Sequence, residues 1–207
     1  MEYFTSNFST IISQTGEHIA VSLMSLLIAS VIGIGFGYLA SGHPYWEKVS
    51  TAGFQVLRVI PSLAVLVILI PVMGTGKAPA VTALTVLAIP PILLNTTVGF
   101  IEVPDYMIEA GRGIGMNGRQ ILLRVRIPAA LPMIFAGIRT ALVEVFASAT
   151  LAAKIGAGGL GEIIFTGLGL NRMDIVFVGG VLVALLSLLA GLIFDLLTRK
   201  TLKYKYL

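Results

Sequence analysis

Five apolar stretches set the terms on which this sequence can fold. They cover residues 19–40, 52–73, 79–101, 131–152 and 174–197. Each is close to the roughly 20 residues that a helix needs to cross the hydrocarbon core of a bilayer. That core offers no water to backbone N–H and C=O groups, so spanning segments of this kind satisfy them internally, as helices. With 57% hydrophobic and only 12% charged residues, the chain lacks the polar surface that a soluble domain of its size exposes. The fold expected is all-α, a polytopic membrane protein with about five transmembrane helices. The length suits one membrane domain and leaves no room for a nucleotide-binding domain or a soluble receptor. Cysteine is absent, which removes disulfide frameworks and thiolate metal sites from consideration. The first residues carry two glutamates and no Lys or Arg, unlike a secretory signal peptide, so the first apolar run is read as retained.

The spans are not uniform. Arg58 and Pro61 interrupt the second, and the third holds Pro90 and Pro91. A proline removes a backbone donor and kinks a helix; in a membrane this is tolerated where neighbouring helices or water satisfy the freed carbonyl. Gly33 and Gly37 form a GxxxG pair in the first span, and Gly179, Gly180, Ser187 and Gly191 mark the last. Small residues let helix backbones approach closely in lipid. They are read mainly as packing within the chain, with a seam to a second subunit as the alternative.

Basic residues orient the chain. With the N-terminus outside, the inside segments 41–51, 102–130 and 198–207 hold Lys48, Arg112, Arg119, Arg124, Arg126, Arg199, Lys200, Lys203 and Lys205. The outside segments hold Lys77, Lys154 and Arg172. This imbalance follows the positive-inside rule and places the C-terminus in the cytoplasm. The expected organisation is an extracellular tail over residues 1–18, a transmembrane domain over 19–197 with a cytoplasmic loop at 104–128, and a basic tail over 198–207.

Chemistry of the chain's own is hard to find. His18 and His43 lie at span ends without an HExxH or carboxylate cluster, and no GxSxG nucleophile elbow occurs. No metal site, catalytic set or bound cofactor is expected, and no basic–aromatic interleaving points to nucleic acid. Residues 153–171 contain six glycines, but no strand precedes them and no GK[ST] follows, so a phosphate-cradling loop is set aside. A compact, partly re-entrant loop shaping an external vestibule fits better.

The longest polar segment between two apolar ones is residues 107–128, with Arg112, Arg119, Arg124 and Arg126. Glu109-Ala110-Gly111, three residues, Gly115, nine residues, then Val125-Arg126-Ile127-Pro128 resembles the EAA loop of ABC importer permeases. The family pattern is EAA, three residues, G, nine residues, I-x-L-P. Gly111 replaces the second Ala, Val125 the Ile and Ile127 the Leu, with the spacing intact. A short helix from residue 105, bent at Gly115 and followed by a second helix to Pro128, would seat in a groove of a cytosolic ATPase. The plainer alternative is a basic loop that meets lipid head groups. Pro61-Ser62-Leu63-Ala64, Asn95-Thr96, Gly137-Ile138-Arg139-Thr140-Ala141, Ala149-Thr150-Leu151-Ala152-Ala153 and the run Ile155-Gly156-Ala157-Gly158-Gly159-Leu160-Gly161 are similar to permease subunits of osmoprotectant importers for glycine betaine, carnitine and choline. The last run is shared with methionine importers. The resemblance implies a type I importer (MetI-like) fold and a non-catalytic subunit in a bacterial plasma membrane. The partners it implies are a cytosolic ATPase dimer that uses ATP and Mg, a second permease subunit, identical or paralogous, and an extracellular solute-binding protein. Importers of another small solute, such as methionine or a betaine-like thione, and an ATPase-independent channel or secondary transporter are the competing readings.

Ionisable and polar residues within spans are candidates for the translocation path, since such groups are costly in lipid. They are Arg58, Asn95, Thr96, Glu144, Ser148 and Thr150. Glu144 lies deepest. It either pairs with Arg58 across helices or lines the path and attracts a cationic ammonium group. For Arg58 and Arg139, both nearer the cytoplasmic face, snorkelling to the interface is the plainer reading for at least one. For the remaining polar residues, hydrogen bonds that join helices are the alternative.

Overall fold

The structure is a computed structural model that describes residues 7–43, 45, 49, 52–53 and 60–202. Among the described residues the chain is built from helices and their connecting turns, with no strand. Among the described residues, four helices are long and apolar enough to cross a membrane: Phe8–Ala40, Lys77–Ile101, Gly118–Ile155 and Met173–Thr201. The first, α1 (Phe8–Ala40), starts ahead of residue 19, because a less apolar stretch containing Glu17 and the buried His18 continues the same helix. The second expected span, 52–73, is present as two short helices, α2 (Ser62–Ile68) and α3 (Ile70–Met73), while residues 54–59 lie outside the described residues. Pro61 is the N-cap of α2 and Pro71 lies in the first turn of α3, where a missing N–H costs no helical hydrogen bond.

Helix α4 (Lys77–Ile101) is the centre of the bundle, and Pro90 and Pro91 are buried within it. It runs parallel to α1: Thr97 Oγ1 lies 3.2 Å from the Gly37 carbonyl, and Ser25 Oγ lies 3.3 Å from the Val81 carbonyl. The Arg-rich segment follows as α5 (Asp105–Gly113), α6 (Gly118–Ile121) and a π-helical turn (Leu122–Arg126). Helix α7 (Ile127–Ala152) then returns antiparallel to α4. A 3-10 turn (Ala153–Ile155) and α8 (Gly161–Gly169) cap that end, and α9 (Met173–Thr201) runs back along α7. Residues 198–201, expected to begin a tail, continue α9. The core gathers Leu84, Ala88 and Ile92 of α4 with Ala29 of α1 and Ala141 and Val145 of α7.

Glycine seams explain why α4 is central. A Cβ at Gly33 would stand 2.9 Å from Ile92 Cβ, and one at Gly37 2.7 Å from Thr96 Cβ. On the other side, a Cβ at Gly137 would stand 2.8 Å from the Pro91 carbonyl oxygen, and one at Gly99 2.8 Å from Met133 Cβ. Lipid tails are as apolar as leucine, so close packing, not hydrophobicity, drives these helices together. Gly35 has nothing within 4 Å of its Cβ position. The GxxxG pair thus serves packing inside the chain.

Gly33→Ala and Gly37→Ala are each expected to lower stability by about 1–3 kcal/mol, as overpacking does, with Gly35→Ala near neutral. Thermal unfolding in detergent reads the difference. Equal effects at all three positions would contradict the assigned seam.

Candidate functional site

The Arg-rich segment is a helix, a tight turn and a second helix that becomes α7. In α5, Asp105 sits in the first turn and Arg112 in the last, matching the helix dipole at both ends. Gly111 is its buried residue; a Cβ there would touch Ile121, Met116 and Val125 at 3.5–3.8 Å. Glu109, Ala110, Arg112 and Gly113 are exposed. The structure therefore gives the helix two faces. The Gly111 face fastens it to the base of α7, and the Glu109–Ala110 face is open.

The turn is built on Gly115, whose φ is +81°. An L side chain is strained in this region and glycine is not. The conformation lets the Gly115 N–H donate to the Arg112 carbonyl at 2.9 Å and the Met116 N–H donate to the Gly111 carbonyl at 3.0 Å. Both carbonyls would otherwise be orphaned at the helix end. Asn117 then starts α6 with a capping box. The Gln120 N–H donates to Asn117 Oδ1, and the Asn117 N–H donates to Gln120 Oε1, both at 2.9 Å. The N-x-x-Q pattern is a readable signal for this cap, one that the sequence reading passed over.

The π-helical turn relieves a clash at Pro128. In an α-helix its ring would press on the carbonyl four residues back, that of Arg124. Widening the turn moves that carbonyl aside, and the Ile127 N–H reaches the Leu122 carbonyl instead. The helix so continues from Gly118 to Ile155 without a break. Val125, Ile127 and Pro128 are half-buried along this junction.

The candidate path residues do not form one cluster. Thr96 is fully buried in the α1–α4 seam beside Gly37, and its Oγ1 has no partner among the described residues. Asn95 lies at the α4–α7 seam, beside Gly137, with Nδ2 donating to the Pro91 carbonyl at 2.8 Å. Glu144 and Ser148 are half-buried on α7. Thr150 is too, with a buried Oγ1 that lacks a partner among the described residues. Seven residues separate Gly137 from Glu144, a rise of about 10 Å along the helix. Arg58 lies outside the described residues.

Two ionic ties escaped the sequence reading. Arg139 Nε meets Asp195 Oδ1 of α9 at 2.6 Å, so Arg139 has a partner as well as a route to the interface. At the opposite end of the bundle, Glu17 accepts from Lys77 at 2.7 Å and from the Gly159 N–H at 3.3 Å. The Gly76 N–H donates to the Ile155 carbonyl at 2.6 Å. The glycine-rich loop is therefore fastened onto α1 and α4 and leads into α8. It is compact, as expected, and includes a helix that its glycines had concealed.

Residues 19–203 match the family model described as "Binding-protein-dependent transport system inner membrane component". The chain is 40% identical over 186 residues to the carnitine transport permease protein OpuCB of Listeria monocytogenes, covering 90% of this chain and 85% of that protein. It is 34% identical over 200 residues to the glycine betaine/carnitine/choline transport system permease protein OpuCB of Bacillus subtilis (strain 168), covering 97% and 92%. An inward-facing structure of the MetNI methionine ABC transporter superposes with a TM-score of 0.80 at 27% identity, covering 92% of this chain and 95% of that one.

Gly115→Val is expected to strain the turn by about 1–2 kcal/mol and to speed hydrogen exchange over residues 105–117, leaving α7 protected. Gly111→Ala makes only ordinary contacts and is expected to slow exchange there, by up to about 1 kcal/mol of added helix stability. Unchanged exchange in the Gly115 variant would show that the turn does not depend on its left-handed residue.

Proposed function

The chain belongs to the family of binding-protein-dependent transport system inner membrane components, and from that membership we propose that it is the membrane permease subunit of an ATP-driven importer of quaternary-ammonium osmoprotectants such as glycine betaine, carnitine and choline. Similarity along nearly the whole chain to permeases named for these solutes carries the solute class. The subunit itself catalyses no reaction and binds no cofactor; ATP and Mg are used by a cytosolic ATPase dimer. A second permease subunit and an extracellular solute-binding protein complete the assembly.

The orientation proposed is N-terminus outside and arginine end in the cytoplasm. Arg112, Arg119, Arg124, Arg126, Arg199 and Lys200 all lie at that end, as the positive-inside rule requires. The ATPase is received on the open face of α5, through Glu109 and Ala110. Gly111, Val125, Ile127 and Pro128 link α5 to α7, and Gly115 holds the angle between them. A push on α5 is carried to Ile121 and Val125 and hence to α7, because the helix is continuous from Gly118. At Gly137 the α4–α7 seam has no slack, so displacement of α7 reshapes the contact around Asn95. Nucleotide shifts the equilibrium because the ATPase makes different contacts with α5 in the inward- and outward-facing states. Glu144 and Ser148, half-buried on α7, are assigned to the path with Asn95, and Glu144 offers its carboxylate to the ammonium group. Thr96 and Thr150 are held as neighbours of that path. The fold neighbour that carries methionine keeps one second reading open, a methionine importer of the same architecture.

In proteoliposomes holding the complex and its receptor, Gly115→Val is expected to abolish ATP-driven uptake while the subunit still inserts. Normal uptake by that variant would remove the coupling role. Unlabelled carnitine, glycine betaine and choline should compete with labelled carnitine, and methionine should not; competition by methionine alone would favour the second reading. Glu144→Gln is expected to raise the KM for transport about tenfold, equivalent to one contact of about 1.4 kcal/mol. If Arg58→Gln/Glu144→Gln is milder than the sum of the single variants, the acid is held by Arg58 instead of facing the solute.

A further inference from the structure

The arginine end carries a second feature that ATPase docking does not use. A cavity of about 520 Å³ lies between the end of α1 and the α5–α6 turn, and Arg112, Arg119 and Arg126 converge on it beside Tyr38. None of the three forms an ion pair with a described residue. Arg126 is half-buried and lies against the Phe100 ring at 5.7 Å, and its Nε is buried without a hydrogen-bond partner among the described residues. A buried guanidinium donor without an acceptor is costly, so the cavity calls for an anion.

An open-sided groove of about 360 Å³, bordered by apolar side chains, adjoins it. The two share Tyr38 and Leu122, and Phe100, under Arg126, lines the groove. The groove follows α7 from Ile127 to Ile138 and α1 at Ile34 and Gly35. That length of helix rises about 16 Å, close to half of the roughly 30 Å hydrocarbon core. We propose that cavity and groove together bind one anionic phospholipid, with its phosphate on Arg112, Arg119 and Arg126 and an acyl chain in the groove. Planar guanidinium forks match phosphate oxygens. A headgroup of net negative charge suits three cations that meet no carboxylate of the described residues better than a zwitterionic one, which brings its own cation. A free anion would fill the cavity and leave the groove empty. An acidic surface of a protein partner would reach the arginines but would have no use for a hydrocarbon-length groove running along the span.

The test uses the full chain, incorporated into vesicles of equal phosphatidylglycerol and phosphatidylcholine, extracted in mild detergent and examined by native mass spectrometry. The wild-type chain is expected to retain phosphatidylglycerol in preference to phosphatidylcholine. Arg126→Gln should lower that retention about tenfold, the size of one lost charge-assisted contact. Gly35→Phe fills the groove and alters no charge; it should lower retention to a similar degree. Retained helix content by circular dichroism makes each variant a valid comparison. Equal retention of the two lipids by the wild-type chain would overturn the proposal. So would undiminished retention in Gly35→Phe, because the arginines would then be holding an anion with no tail beside it.

Discussion

Close backbone approach to α4 is the constraint on which the rest of this structure depends. In a bilayer, leucine gains little by leaving lipid for another leucine, so apolar surface alone cannot tell these helices where to meet. Shape does. Gly33 and Gly37 press α1 onto Ile92 and Thr96, and Gly137 presses α7 onto Pro91 and Asn95 from the other side. Both contacts fall near the Pro90–Pro91 pair, where the backbone of α4 lacks two donors. The carbonyls of Val86 and Leu87 so lose their helical donors, yet the helix stays continuous with both prolines buried.

The same reasoning explains how the Arg-rich segment is joined to the interior. A loop joined to α7 by flexible chain would absorb any push it received. Instead, a π-helical turn just ahead of Pro128 widens the helix without ending it. Gly111 brings α5 against Ile121 and Val125, within one turn of that junction. Gly115 sets the angle between the two helices with a φ that other residues rarely adopt. The small residues and proline of this segment therefore fix α5 to the base of α7 on one face and leave Glu109 and Ala110 open on the other.

Features written in local sequence were legible; features made by distant residues were not. Span lengths follow from runs of apolar residues, and the Glu109–Pro128 spacing carries its own helix–turn–helix. The start of α1 at Phe8 was concealed because residues 8–18 are polar enough to look like a tail, although they are held by Glu17, His18 and Gln14 through contacts with residues 77, 146, 159 and 162. α8 was hidden by glycines whose small size serves packing, as Gly167 does against Val176. The second expected span was longer on paper than α2 and α3 are among the described residues. Arg139–Asp195 joins residues 56 positions apart, and the arginine cavity brings Tyr38 of α1 to Arg112, Arg119 and Arg126, pairings that no motif in a single sequence reports.

These long-range contacts make the two ends of the bundle chemically unlike. At the glycine-loop end, Lys77 and Arg172 meet carboxylates, Glu17 and Asp174, and Lys154 lies 4.5 Å from the centre of the Phe165 ring. Backbone hydrogen bonds from Gly76 and Gly159 fasten the loop as well. At the other end, Arg112, Arg119 and Arg126 meet no carboxylate of the described residues. An end whose cations are matched internally has little to gain from a partner, whereas an end with unmatched guanidinium groups gains from acidic protein surface or anionic lipid.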